Sequence, residues 1–297
     1  MVEKNTRKMK TKITLKLLME LSKVKITFAV AFTTIAGYLL AKGSFDTGLI
    51  LPTLGIFLLA CGSSALNHYQ DADRDKLMFR TANRPIPSGR ISRNGTLVVA
   101  TILSVTGSII LYFGSNMLGL QLGLLALIWY NGIYTPMKRK TAFAVIPGSV
   151  IGAIPPVVGW VAGGGSITDP HVVLLAFFFF IWQVPHFWLL MLKYGKEYIE
   201  AGYPSITQIY SEKSIRFMTF LWTLATAVTA LMLPLFGIIE NRIITVIVLL
   251  SVLWLVYIFS GLIRNQPAKL NPFFYFMRIN YFVLAIIIAL MIDPLIK

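Results

Sequence analysis

Long apolar segments alternate with short polar ones along almost the whole chain. Nine of these segments approach the roughly 20 residues that an α-helix needs to cross a bilayer. Their length and their separation by short loops predict nine transmembrane helices. We place the helices at residues 26–41, 49–66, 96–113, 117–132, 143–162, 172–192, 217–238, 243–263 and 279–296.

The composition is that of a membrane protein. Of the 297 residues, 56% are hydrophobic and 13% are charged, whereas a soluble domain is roughly 25% charged. The loops are too short to hold a soluble domain, and the single cysteine, Cys61, excludes an intrachain disulfide. We expect an all-α integral membrane protein, with a basic tail at residues 1–25 and one nine-helix domain at residues 26–297. The first helix lacks a cleavage pattern and should be retained.

The distribution of positive charge predicts the orientation. With nine helices, 24 of the 27 lysines and arginines fall on one side, and only Lys42, Arg242 and Lys297 fall on the other. Cytoplasmic loops carry the excess of Lys and Arg, so we expect the N-terminus in the cytoplasm and the C-terminus outside, most simply in a bacterial inner membrane. Because the charge is spread over short loops, nucleic-acid binding is a poor explanation of it.

An unusual acidic segment follows the second predicted helix. Asn67, Asp71 and Asp75 are spaced i, i+4, i+8, so on a helix they share one face. Two carboxylates one turn apart repel, and a hard cation such as Mg²⁺, which prefers oxygen ligands and often bridges to a phosphate, would offset the repulsion. The alternative is a solvated cytoplasmic loop with ordinary surface charges.

Two further pairs of residues could bind phosphate on the same side. Arg80 and Arg84 follow the acidic segment, and guanidinium groups suit phosphate binding. Tyr134 and Lys138, four residues apart after the fourth helix, could both donate to phosphate oxygens. For the second pair, the competing interpretation is an interfacial tyrosine and a loop charge that satisfies the topology rule.

The loop after the sixth helix contains a second acidic pair on the same side. Glu197 and Glu200 could bind a second cation. They could equally form surface ion pairs with Lys196 and Lys193, which contribute little energy.

The sixth helix contains an aromatic cluster around a proline. Pro185 should kink the helix, and the flanking Trp182 and Trp188 could line a flat hydrophobic pocket for an acceptor. His186 is the only histidine well inside a predicted helix, and an ionisable residue at that depth is a functional candidate. The alternative is a neutral imidazole that is hydrogen-bonded to a neighbouring carbonyl.

These motifs resemble the UbiA-type membrane prenyltransferase superfamily. Its N-x-x-x-D-x-x-x-D motif corresponds to Asn67, Asp71 and Asp75, and its Y-x-x-x-K motif to Tyr134 and Lys138. Within the superfamily, the resemblance is to the branch that farnesylates haem. It is carried by D-x-D-x-x-M-x-R-T-x-x-R-P (73–85), P-S-G-R-I (87–91), A-I-P-P-V-V-G-W (153–160), P-H-F-W (185–188) and Y-x-x-A-G-x-P (198–204).

The resemblance implies a Mg²⁺-dependent transfer of farnesyl from farnesyl diphosphate to the 2-vinyl group of haem b, which gives haem O. Asn67, Asp71 and Asp75 would bind the metal, and Lys138 would act with the two aspartates in catalysis. Haem A synthase is a candidate partner. The chain departs from the family pattern just before Tyr198. Two aspartates are usual there, and this chain has Lys196 and Glu197.

Two other functions fit parts of the pattern. A UbiA-type enzyme that prenylates an aromatic quinone precursor would share both phosphate motifs. A cation-coupled secondary transporter could use the acidic helix, although transporter sites usually lie near the middle of the bilayer.

Overall fold

A computed structural model describes residues 14–264 and 270–296, and these residues form helices and connecting turns without any strand. Most of the N-terminal basic tail, with Lys269 and Lys297, lies outside the described residues. The α-helices are α1 (Leu15–Leu21), α2 (Val24–Lys42), α3 (Ile50–Asp75), α4 (Arg93–Gly114), α5 (Met117–Ile128), α6 (Thr135–Met137), α7 (Val145–Gly148), α8 (Val150–Ala162), α9 (Pro170–Ile181), α10 (Gln183–Glu200), α11 (Glu212–Leu235), α12 (Arg242–Arg264) and α13 (Pro272–Ile292).

All nine predicted membrane spans are confirmed. Within the described ranges, nine helical segments are long and apolar enough to cross a bilayer. Two of them are much longer than a bilayer requires, namely Thr47–Asp75 with 29 residues and Pro170–Glu200 with 31 residues. At 1.5 Å per residue each extends over more than about 40 Å, against a hydrocarbon core of roughly 30 Å. Their ends therefore reach beyond the apolar region, and those ends carry the polar motifs.

The sixth span is broken, as Pro185 predicts. Helix α9 ends at Ile181 and α10 begins at Gln183, because the proline has no amide to donate to the carbonyl one turn earlier. The side chain of Gln183 donates to the carbonyls of Phe179, at 2.7 Å, and Ser149, at 3.0 Å. These two hydrogen bonds tie the break in the sixth span to the residue just before α8.

Helices α2 and α8 are in backbone contact because a glycine on each helix faces the backbone of the other. A Cβ atom on Gly37 would lie 1.9 Å from the carbonyl oxygen of Pro156, and one on Gly159 would lie 1.9 Å from that of Thr34. Small residues at helix interfaces allow such close approach in membranes. This contact positions the start of α2 within the bundle, and the residue just before α2 contributes to the site described below.

We expect Gly159→Ala to destabilise the protein by about 1–3 kcal/mol, because the added methyl group forces α2 and α8 apart. Gly132→Ala is the matched control, since its Cβ would meet its nearest neighbour at an ordinary 3.8 Å. Thermal unfolding in detergent, followed by size-exclusion chromatography, measures both variants. Equal midpoints for Gly159→Ala and the unsubstituted protein would contradict the close contact.

The main hydrophobic core lies between the last five helices and α2. Its fully buried side chains include Leu175, Phe178, Phe259 and Phe282. Large apolar side chains are also exposed around the bundle, as expected for a surface that faces lipid rather than water.

Candidate active site

The predicted acidic face is confirmed as one buried surface of α3. Asn67, Asp71 and Asp75 are exposed by only 2%, 3% and 1%. Asp73, which lies on another face of the helix, has 75% of its side chain exposed and pairs with Arg93 at 2.5 Å. Burial of two carboxylates beside an amide requires compensating charge, so the surroundings of this face are informative.

This face forms one wall of a cavity at the end of the bundle where the polar motifs meet. All four predicted phosphate-binding side chains line the same cavity. The residues that line it are Lys23, Asn67, Asp71, Asp75, Met78, Arg80, Thr81, Arg84, Tyr130, Tyr134, Lys138, Thr141, Ala142, Ala144, Phe187, Met191, Tyr198, Tyr203 and Pro204. The loops after the second, fourth and sixth spans therefore lie at one end of the bundle, as the alternating topology predicts.

Asp75 is held by the loop that follows it. The Nη1 of Arg84 lies 2.8 and 2.9 Å from the two carboxylate oxygens of Asp75, and the hydroxyl of Thr81 donates to the backbone carbonyl of Asp75 at 2.9 Å. The loop thus folds back over the end of α3 and places Arg84 inside the cavity.

Asp71 is the most heavily contacted carboxylate of the cavity. Its oxygens accept hydrogen bonds from the ammonium of Lys138, from Asn67 Nδ2 at 2.8 Å, from Tyr203 at 3.1 Å and from Arg139 at 3.3 Å. Burial and the neighbouring Asp71 charge both raise the pKa of Tyr203, so its hydroxyl stays protonated and acts as a donor. Asp71 therefore connects α3 to the segments after the fourth and sixth spans.

Asn67 is contacted by a lysine from outside α3. The Nζ of Lys23, the residue immediately before α2, donates to Asn67 Oδ1 at 3.0 Å. Lys23 has φ 45° and ψ 51°, in the left-handed region. Burial, followed by the charges of Arg84 and Lys138, lowers the pKa of Lys23 to about 7, and the two aspartates oppose this change.

A π-helix places the Y-x-x-x-K segment. Residues Trp129–Tyr134 adopt this wider turn between α5 and α6, a feature often found at functional sites. Within it, Asn131 accepts from the hydroxyl of Ser63 at 2.6 Å and donates to Gln70 Oε1 at 3.0 Å. These bonds to α3 fix the segment, so that the Tyr134 ring and Lys138 both face the cavity.

Glu197 and Glu200 are not among the residues that line the cavity. A Glu197 oxygen instead accepts from the backbone amide of Arg80 at 3.4 Å, and Glu200 is exposed. The described part of the chain has no group of three or more His, Cys, Asp or Glu side chains arranged to hold a metal ion. The predicted loop position of the two glutamates is wrong, because α10 continues to Glu200. From this part of the chain, Tyr198 on α10 and Tyr203 just after it line the cavity instead.

The proposed acceptor residues lie next to the cavity but outside its lining. The ring of His186 packs 5.0 Å from Trp182 and 4.5 Å from Phe276, and Trp188 lies 6.2 Å from Trp222. His186 Nδ1 and both tryptophan Nε1 atoms are buried and have no hydrogen-bond partner in the described structure. Between these residues in sequence, Phe187 does line the cavity.

Among the side chains that contact Asn67 or Asp71, sequence reasoning missed Lys23, Arg139 and Tyr203. Arg139 lies in a run of three basic residues, and the excess of Lys and Arg in cytoplasmic loops already accounted for that run. Lys23 and Tyr203 are far from Asp71 in sequence, and no local spacing connects them with it. Only the packing of α2 and of the loop after α10 against α3 brings them to the acidic face.

The donor set fits a hard divalent cation. Asn67, Asp71 and Asp75 present oxygen atoms to one cavity from one helix face, and oxygen is the ligand that Mg²⁺ prefers. Side-chain cations now contact each of these three groups, so the oxygens already occupy a position that attracts positive charge.

Comparison with known proteins identifies the class. The sequence profile of the UbiA prenyltransferase family matches residues 30–282, and the chain belongs to that family of integral membrane enzymes. A protein of Oleidesulfovibrio alaskensis that is named protoheme IX farnesyltransferase is 33% identical over 93% of this chain and 95% of its own length. A protein of the same name from Geobacter sulfurreducens is 39% identical over 70% of this chain and 77% of its own.

A solved structure shows the same fold. The UbiA homologue of Archaeoglobus fulgidus, bound to GPP and Mg²⁺, superposes with a TM-score of 0.70 at 12% identity, over 94% of this chain and 99% of that one. The nine-helix UbiA-type fold expected from the motifs is therefore confirmed.

Proposed function

We propose that this chain transfers the farnesyl group of farnesyl diphosphate to the 2-vinyl group of haem b, giving haem O. The observation that carries the proposal is the single cavity in which two buried carboxylates and four side-chain cations meet. A diphosphate needs both, since the cations bind its oxygens and the carboxylates hold its metal. The names of the two bacterial relatives support haem as the acceptor.

In the proposed site, Asn67, Asp71 and Asp75 hold Mg²⁺, which when bound neutralises charge on the diphosphate oxygens. Arg80, Arg84, Tyr134 and Lys138 line the same cavity and bind the remaining oxygens. They stabilise the negative charge that grows as the allylic carbon–oxygen bond breaks, because preorganised donors stabilise developing charge at little reorganisation cost.

The reaction balances without any redox partner. The allylic C–O bond of farnesyl diphosphate breaks, and diphosphate leaves with the electron pair. The vinyl π electrons of haem form the new C–C bond to the allylic carbon, and this leaves a cation on the vinyl carbon next to the macrocycle. Water adds to that carbon and loses a proton, giving a hydroxyalkyl product. The apolar bundle keeps water from the allylic cation until capture.

The acceptor is proposed to lie beside the broken sixth span. Trp182 lies at that break and His186 and Trp188 follow it, and each carries a buried nitrogen that has no hydrogen-bond partner among the described residues. The imidazole nitrogen suits the haem iron or a propionate, and the indole N–H groups suit a propionate. Phe187, which lines the cavity, follows His186 directly and links the two regions. Glu197 and Glu200 remain candidates only for a more distant cation, and we assign them no role in the reaction.

The cavity is proposed to face the cytoplasm of a bacterial inner membrane. Cytoplasmic loops carry most of the Lys and Arg of a membrane protein. The segments that build the cavity belong to the side that holds 24 of the 27 basic residues.

Purified protein in detergent, incubated with haem b, Mg²⁺ and farnesyl diphosphate, tests the function. We expect a haem product whose mass has increased by one farnesyl group and one hydroxyl group, because the added water loses a proton. Replacing haem b by an aromatic quinone precursor should give no prenylated product. Prenylation of the quinone precursor in place of haem would assign the chain to the other branch of the family.

Removal of divalent cations should abolish turnover. With EDTA in excess over residual metal, we expect product formation to fall below detection, because the diphosphate then lacks its main neutralising charge. Added Mg²⁺ should restore the rate, and Na⁺ at equal ionic strength should not. Undiminished turnover in EDTA would contradict the metal site.

A further inference from the structure

The three proposed metal-binding groups are each contacted by a different side-chain cation. These pairs are Asn67 with Lys23, Asp71 with Lys138 and Asp75 with Arg84. Lys138 and Arg84 lie in motifs that indicate phosphate binding. Lys23 belongs to no such motif, yet it contacts the acidic face of α3 as Lys138 and Arg84 do.

The backbone at Lys23 is unusual. Among the described residues, it is the only one other than glycine with a positive φ. A long side chain is uncommon in the left-handed region, and such conformations cluster at functional sites. Lys23 separates α1 from α2 and lines the cavity with Asp71 and Asp75. Lys25, two residues later, is exposed and absent from the cavity lining.

The contact that Lys23 makes is a weak one for an ammonium group. Its partner, Asn67 Oδ1, is a neutral amide oxygen, whereas Lys138 and Arg84 contact carboxylates. Hydrogen bonds between two charged groups are roughly twice as strong as neutral ones. A lysine also has a flexible four-carbon stem, so its ammonium can exchange this partner for a nearby phosphate oxygen without backbone movement.

We propose that Lys23 is a further diphosphate-binding residue, which holds the Asn67 amide oxygen when the site is empty and transfers to a diphosphate oxygen when the metal–diphosphate binds. The transfer frees Asn67 Oδ1 for the metal. This inference rests on the proposed function, because it names one more ligand of the same diphosphate. It implies that the anion and the metal bind together more tightly than either binds alone.

The test compares Lys23→Met with Lys25→Met in purified full-length protein. Pyrophosphate affinity is measured calorimetrically in saturating Mn²⁺, and Mn²⁺ affinity without any anion is measured by electron paramagnetic resonance. We expect Lys23→Met to weaken pyrophosphate binding about 10–100-fold, the loss of one charged hydrogen bond. Its affinity for Mn²⁺ alone should be unchanged or higher, because Asn67 loses a competitor. Lys25→Met should match the unsubstituted protein in both measurements.

Lys23→Gly separates binding from folding. Glycine adopts the left-handed conformation at little cost, so this variant should be at least as stable thermally while losing the same pyrophosphate affinity. The inference is overturned if either Lys23 variant binds pyrophosphate normally, or if Mn²⁺ alone is weakened as much as pyrophosphate. A failure of the unsubstituted protein to bind pyrophosphate would instead reject the proposed function.

Discussion

Asp71→Asn should reduce haem farnesylation by at least about 100-fold, the scale of losing one main electrostatic group of an active site. The substitution keeps the shape of the side chain and removes the charge that four neighbouring groups contact. The proposed metal loses an anionic ligand, and Lys138 loses its partner. Product formation from farnesyl diphosphate and haem b, measured by mass spectrometry, gives the rate.

Asp73→Asn is the matched control for Asp71→Asn. It lies two residues away on the same helix, removes the same charge and has its side chain largely exposed. We expect its rate to stay within about twofold of the unsubstituted protein, because surface pairs contribute little energy. Both variants must elute as folded protein by size exclusion. Equal rates for the two folded variants would remove Asp71 from the mechanism.

Lys138→Met should lower turnover by about 100-fold for a different reason. In the structure the Lys138 ammonium contacts Asp71 and lines the cavity, and during reaction it is expected to stabilise the charge on the departing diphosphate. A point charge that is lost from a buried site cannot be replaced by water. The rate is measured at saturating farnesyl diphosphate, so that the loss reflects steps after binding rather than weaker binding of this substrate.

The same variant should bind Mn²⁺ alone more tightly, because Asp71 no longer shares its charge with a lysine. Lys140→Met is the control, since Lys140 is exposed two residues further along the loop. It should leave both the rate and the Mn²⁺ affinity unchanged. If Lys138→Met weakened Mn²⁺ binding and the rate together, its role would be to hold Asp71 in place rather than to exchange partners.

Much of the fold could be predicted because a bilayer imposes local rules on a sequence. A spanning helix must be long and apolar, so hydrophobic segments alone located all nine spans. The helical period was equally informative for α3, where i, i+4, i+8 spacing predicted that Asn67, Asp71 and Asp75 share a face. The break before Pro185 followed from the chemistry of proline.

The composition of the site depends instead on contacts between distant segments. Lys23 and Tyr203 join Asn67 and Asp71 across sequence separations of 44 and 132 residues, and no local pattern encodes such pairs. The pairing of Arg84 with Asp75 likewise required the loop after α3 to fold back. Glu197 shows the reverse case, because its charge suggested a metal ligand, whereas in the structure it lies on α10 and accepts from the backbone amide of Arg80.

By itself, the sequence determined the class of this protein, its nine spans and the acidic face on α3, since each depends on residues within a few helical turns. Only the tertiary structure decided which cations meet that face. Helix packing, set by contacts such as those of Gly37 and Gly159, brings charges from four segments into one cavity. There the lower dielectric constant makes the interaction energy of each charge pair larger than in water.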